Sequence, residues 1–258
     1  MTEKAYQTVT EFGGQQVSQE QIYRLWHRYN WALRMLANRD VVEAGCGAGH
    51  GVSVLQGSCK SLVAGDVSDE VLRSATRVFE NEFTFQKFDA CQIPVENSSV
   101  DVLILFEAIY YVEDVSAFLN EARRILRPGG IILLAMPNKQ LFDFTPSPFA
   151  TNYFTPNELR QLLAKHDFES KFYGFLDTNE VSTRQKILRP LKWLANNLGL
   201  MPKTMRGKEL LKSLFFGGTV LMPSKLDKLE FGYEEPSQIE DLSQRCFHKV
   251  IYCKADLK

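Results

Sequence analysis

No apolar run in the sequence exceeds about eight residues, whereas a helix that crosses a bilayer needs roughly twenty. Residues 1–30 are polar and lack the apolar stretch of a secretory leader. The expectation is a cytoplasmic protein without a transmembrane segment. Cysteine is sparse and scattered: Cys46, Cys59, Cys91, Cys246 and Cys253 include no C-x-x-C pair. That argues against a zinc site or a disulfide framework, so reduced thiols and no metal are expected. Charge of one sign is lacking as well. With 30 basic and 31 acidic residues the formal net charge is −1, which does not suit a general nucleic-acid binder. Internal repeats and low-complexity tracts are also absent.

What is present is an alternation of helical and strand patterns. Ser18 can cap a helix over residues 18–37, in which Ile22, Leu25, Trp26, Tyr29, Leu33 and Leu36 recur at helical spacing. A short strand, Val41-Val42-Glu43-Ala44, then runs into Gly45-Cys46-Gly47-Ala48-Gly49, with a helix of about two turns beyond (52–55). Strand patterns follow at 61–65 and 83–87, on either side of a helix at 70–79. Residues 100–106 and 131–136 read as strands buried on both faces of a parallel sheet. Between them a helix over 115–126 is stopped by Arg127-Pro128-Gly129-Gly130. Thr155-Pro156 opens a helix to about residue 164, and 168–175 and 247–254 read as late strands.

This alternation predicts an α/β fold: a Rossmann-like, doubly wound, mostly parallel sheet with an N-terminal helix and a helical cap inserted before the last strand. The expected parts are a helical segment over 1–39, a core over 40–176 plus 239–258, and an insert over 177–238. The insert is basic, with ten Lys and Arg against three Asp and Glu over residues 182–230. Helical pieces are plausible within it at 187–198 and 208–216. It reads as a substrate lid, as a basic surface for peripheral membrane contact or a partner, or as a solvated cap.

A strand that feeds a tight glycine turn and then a helix lets a ligand approach the main chain, because glycine has no Cβ. The helix N-terminus beyond offers free N–H groups. Asp66 ends the second strand 21 positions after Gly45, near the distance at which a carboxylate meets ribose hydroxyls.

In this ordered set the chain resembles the class I S-adenosylmethionine-dependent methyltransferases. Glu43, two places before Gly45, suits that family's first motif and is not part of the dinucleotide fingerprint. The resemblance implies S-adenosylmethionine as cofactor. It places Gly45, Cys46, Gly47 and Gly49 in the turn under its methionine part, with Glu43 supporting that turn. Asp66 would take the ribose, Val67 and Ala90 the adenine ring, and Asp89 the adenine amino group. Phe106 and Glu107, at the end of the fourth strand, would lie beside the sulfonium. The N-terminal segment would close over the cofactor, with Arg28 of an Arg-Tyr pair meeting its carboxylate.

Candidates for proton transfer are Glu107, His27, Tyr110 and Tyr111, with Glu107, His27 and Tyr111 the ones expected at the reaction itself. For His27 a packed or exposed histidine is the competing reading, for Arg28 a solvated helix-face arginine. Tyr110, Phe149, Tyr153 and Phe154 are expected to line the acceptor pocket. The implied activity is methyl transfer to oxygen or nitrogen of a small molecule, similar to methyltransferases of glycan and natural-product pathways. The alternatives are a nicotinamide-dependent oxidoreductase and a cofactor-binding scaffold without transfer activity. The acceptor, the need for a general base and the oligomeric state are left open.

Overall fold

A computed structural model describes residues 6, 8–179, 189–190 and 218–258. Most of the basic insert, including nearly all of the helical pieces expected at 187–198 and 208–216, therefore lies outside the described residues.

The chain opens with β1 (Gln16–Ser18) and α1 (Gln19–Leu33). Ser18 and Gln21 form a reciprocal capping box at the start of α1, so two orphan N–H groups are satisfied. The helix ends at Leu33, four residues short of the expected 37, in a turn at 34–38. Next come β2 (Asp40–Ala44), α2 (Val52–Leu55), β3 (Ser61–Asp66), α3 (Asp69–Phe79) and β4 (Gln86–Lys87). The strand expected over 83–87 shrinks to that two-residue piece, because Phe83 and Phe85 turn inward to pack beside Phe79. Then follow β5 (Val100–Phe106), α4 (Val115–Ile125), β6 (Leu126–Pro137), α5 (Pro156–Lys165), β7 (Phe168–Asp177), β8 (Thr219–Leu221), β9 (Ser237–Gln238) and β10 (His248–Leu257). A single 3-10 turn, Ile109–Tyr111, follows β5.

The main sheet has the order β4-β3-β2-β5-β6-β10-β7-β9. Its first five strands are parallel, and β10 runs antiparallel to both β6 and β7. Residues 127–130, expected as a breaker ahead of the strand, form an irregularity inside β6: Val100 pairs with Leu126 and Val102 with Ile131. Arg127 in that bulge reaches Asp40 at 3.0 Å and Asp101 at 2.8 Å, tying three strand starts together.

The apolar runs are explained by two covered faces. Along β5, Leu103 and Leu105 pack with α4 and α5, while Val102, Ile104 and Phe106 pack with α1. The second face continues with Met222, Leu226, Leu229, Phe231 and Tyr233, so residues 218–238 wrap over α1. β9 joins the sheet edge, and β8 pairs with β1 in a small separate ribbon. No described helix is long and apolar enough to cross a membrane, and the five cysteines are unpaired. The carboxyl ends of β2, β3, β5 and β6 open on one side of the sheet, the edge at which open α/β sheets hold ligands.

Candidate active site

A cavity of about 590 Å³ lies at that edge, within the range of small-molecule sites. Its floor is the turn after β2. Gly45 and Gly47 have φ of +68° and +58°, values open to glycine and costly for other residues. A Cβ on Gly45 would stand 3.2 Å from the Ala108 Cβ. Gly49, also at positive φ, does not line the cavity; it lies against Phe79 and Phe85, where a Cβ would come within 2.8 Å of a ring carbon. Gly45, Cys46, Gly47 and Ala48 face the cavity. Burial first, then the charges of Glu43 and Asp66, push the Cys46 thiol well up, so it is a neutral packing group.

Asp66 accepts from the Gly47 N–H at 3.1 Å and the Ser68 N–H at 3.0 Å, one on each oxygen. Asp66 thereby fixes the turn with both carboxylate oxygens and lines the cavity beside it. Val67, Asp89 and Ala90 line the same end of the cavity. Glu43 sits behind the turn, 1% exposed. It accepts from the Tyr29 hydroxyl at 2.6 Å, and its Oε2 has no hydrogen-bond partner among the described residues. Burial raises its pKa to about 7, against the opposing pull of Tyr29 and Arg28.

The middle of the cavity is an ion-pair network. Glu107 ends β5 at φ +52°, an unusual conformation for a non-glycine residue. It lies 3.4 Å from the Arg28 guanidinium and accepts from the Tyr110 hydroxyl at 2.8 Å. Arg28 also reaches Glu11 at 3.5 Å, while its Nε has no hydrogen-bond partner. Burial alone would lower the Arg28 pKa; Glu107 and Glu11 more than restore it. Tyr110 and Tyr111 both line the cavity, and Tyr110 also packs into the core beside it. Their phenols are pushed up, chiefly by burial.

The remaining expected residues lie elsewhere. His27 is fully buried and does not line the cavity. Its Nε2 donates to the Glu234 carbonyl at 2.7 Å, which leaves Nδ1 to accept from the Tyr252 hydroxyl at 2.9 Å. The ring stacks on Phe175 at 3.5 Å, and burial lowers its pKa to about 4. Both nitrogens are used, so His27 is a structural group and the proton-transfer expectation for it is corrected. Tyr153 stacks behind Tyr110 and accepts from the Ser147 N–H, one layer away from the cavity. Phe149 and Phe154 do not line it either; the loop folds back on itself and on Tyr110 instead of forming the wall.

Sequence reasoning missed three contributions. Tyr6 and residues 8–12 lie over the glycine turn, with Tyr6, Thr10 and Glu11 lining the cavity. Nothing periodic marks them. His50 follows the turn directly, lines the cavity and is 4% exposed. Burial, then the Arg28 charge, lowers its pKa to about 4, and its Nε2 has no hydrogen-bond partner among the described residues. Arg24 lines the cavity one helical turn before Arg28. The i, i+4 spacing was a usable signal, since such residues share a helix face.

The residues fit the cofactor that the motifs imply: a glycine cradle open to a ligand, the Asp66 carboxylate in the cavity lining, and the Glu43 Oε2 and Arg28 Nε, which have no hydrogen-bond partner among the described residues.

Comparison with known proteins agrees with the geometry. Residues 42–134 match the family model described as a methyltransferase domain. A probable S-adenosylmethionine-dependent methyltransferase of Mycolicibacterium smegmatis is 33% identical over 145 residues, 55% of this chain and 56% of that protein. An O-methyltransferase of Pyrenophora dematioidea is 28% identical over 68% of this chain and 70% of its own. The chain spans about half the length of the curated relatives it matches at 31–33% identity. A crystal structure from Thermotoga maritima, described as a possible histamine N-methyltransferase, shares the fold with a TM-score of 0.58 at 16% identity, covering 92% of each chain. Residues 42–134 thus match a methyltransferase domain, carried on a sheet that shares its fold with solved S-adenosylmethionine-dependent methyltransferases.

Proposed function

We propose that this chain transfers a methyl group from S-adenosylmethionine to an oxygen or nitrogen of a small molecule. The observation that carries the reading is the single cavity that joins the glycine turn, Asp66, Asp89 and Glu107 at the carboxyl ends of the parallel strands.

The cofactor, when bound, supplies a methyl group already activated on a positively charged sulfur, so the protein's main task is alignment. Gly45 to Ala48 would lie under its methionine part, with Arg28 and Glu43 near the charged end. Asp66 would hold the ribose, and Val67, Asp89 and Ala90 the adenine. Glu107 is the group placed to take a proton from the acceptor's hydroxyl or amine as the new bond forms. Its two neighbours, Arg28 and the Tyr110 hydroxyl, hold its carboxylate in one orientation. Tyr110 and Tyr111 would form the apolar wall against which the acceptor rests. The name of the Pyrenophora relative supports oxygen as the methylated atom. For the basic stretch within 182–217 a substrate lid or a surface for peripheral membrane contact is the proposed role, on its composition.

A thermal-shift comparison of S-adenosylhomocysteine with NADH, followed by methyl transfer to a panel of phenols, alcohols and amines, tests the reading. The expected result is stabilisation by S-adenosylhomocysteine alone and a methylated product from at least one acceptor. Stabilisation by NADH alone would assign the fold to oxidoreduction. Cofactor binding without any product across the panel would identify a scaffold.

A further inference from the structure

Arg24 and Arg28 face the same cavity from successive turns of α1, yet they differ in their partners. Arg28 has two carboxylates, Glu107 and Glu11. Arg24 has no hydrogen bond or ion pair among the described residues, and its Nε is buried without a partner. A buried donor left unpaired costs about 1–3 kcal/mol, more when it carries charge. Arg24 as a whole is half-buried and lines the cavity, so its guanidinium can meet a charged group of a ligand there.

The position of Arg24 shows which ligand. Asp66 and Asp89 mark one end of the cavity, on the β3–β4 side, and Pro137 and Val250 mark the other, where β6 pairs with β10. The α1 helix spans this distance. Tyr29 touches Glu43 and Phe106 over β2 and β5, whereas Tyr23 and His27 touch Phe175 and Tyr252 over β7 and β10. Arg24, one turn before Arg28, belongs to the second side. The buried Tyr252 hydroxyl on β10 lies near both arginines and feels the charge of Arg28 and, less, that of Arg24. That end lies away from the nucleoside and beyond Arg28, where the acceptor would enter.

Resting on the methyltransferase reading above, we propose that Arg24 is the anchor for an anionic group of the methyl acceptor, a carboxylate or a phosphate. A guanidinium binds either in a two-point fork. The acceptor is then an oxyanion-bearing small molecule, held by Arg24 while its hydroxyl or amine is presented to Glu107.

The test uses the full chain saturated with S-adenosylhomocysteine, with benzoate, phenyl phosphate and neutral benzamide as probes. Affinities are compared by calorimetry for wild type, Arg24→Gln and Arg24→Lys. The expected result is that at least one of the two anions binds about tenfold or more tightly than benzamide, a preference that one charge-assisted pair supplies. Arg24→Gln should lose this preference and Arg24→Lys should recover part of it, with S-adenosylhomocysteine affinity unchanged in both. Which anion binds tells a carboxylate acceptor from a phosphorylated one. Equal binding of anions and benzamide, or of none, would overturn the proposal. So would a tenfold loss of S-adenosylhomocysteine affinity in Arg24→Gln, which would assign Arg24 to the cofactor. Failure of wild type to bind S-adenosylhomocysteine at all would overturn the methyltransferase reading instead, so the two failures are distinct.

Discussion

At the β2–β3 end of the cavity the chemistry is carried by main chain and short side chains at strand ends. At the β6–β10 end it is carried by long side chains projected from α1. The first end is built by sequence-local geometry: a glycine turn at positive φ, closed by Asp66 through two backbone N–H groups. The second is built by contacts between parts of the chain that are far apart in sequence. Its His27 is held by Glu234 and Tyr252, more than 200 residues away. The first kind of site needs a residue type at a fixed spacing, and the second needs only that some side chain reach the right place.

The sharpest way to break this comparison is at Glu107, where the two ends meet. Glu107→Gln should lower kcat by a factor of about 10² to 10⁴, the range for a lost general base, while S-adenosylhomocysteine still binds. Quenched-flow or product-release assays on an acceptor from the panel would show it. Undiminished turnover would reduce Glu107 to an orienting partner of Arg28.

Glu43 gives the next largest effect, and its sign follows from burial. Folding raises its pKa from 4.5 to about 7, so the folded state favours the protonated form. The associated stabilisation is complete below about pH 4.5 and is lost as pH rises through 7. Wild type should therefore lose on the order of 3 kcal/mol between pH 5 and pH 8 from this group alone. Glu43→Gln keeps an acceptor for Tyr29 and cannot ionise, so urea titrations at the two pH values should show that loss disappear. Equal losses in both proteins would contradict the assignment.

The contrast also explains what could be read from the sequence. That the glycine turn, Asp66 and Glu107 meet at one cavity was legible because strand ends and φ > 0 positions constrain residue type directly; Asp89 joins them two residues past β4. The doubly buried strands β5 and β6 were legible because two covered faces leave no polar alternation. His27 was misplaced because nothing local shows that Phe175 and Tyr252 lie beside it. The aromatic loop at 142–154 was read as pocket wall on composition, yet Tyr153 packs behind Tyr110. Residues 218–238 were assigned to the insert, and Met222, Leu226 and Phe231 pack onto the α1 face of the core instead. Met222, Leu226, Leu229 and Tyr233 even recur at helical spacing although no helix forms there, so only the tertiary structure reveals their packing.

The smallest expected effect on turnover comes from His27. Its pKa falls to about 4 on folding, so its contribution is present above pH 6.5 and is lost as pH falls through 4. His27→Asn should cost about 1–3 kcal/mol of stability at neutral pH, from unpaired Glu234 and Tyr252 groups. It should flatten part of the acid limb of the stability curve and leave kcat essentially intact. A large loss of kcat with normal stability would return His27 to the reaction.

The central claim, that the cavity holds the nucleoside of S-adenosylmethionine through Asp66, is tested most directly by calorimetry of S-adenosylhomocysteine on wild type and Asp66→Ala. The account predicts one-to-one binding to wild type and a loss of roughly a hundredfold in the variant, the weight of hydrogen bonds to one charged group. No heat with wild type at millimolar cofactor, or equal affinities in the two proteins, would contradict it.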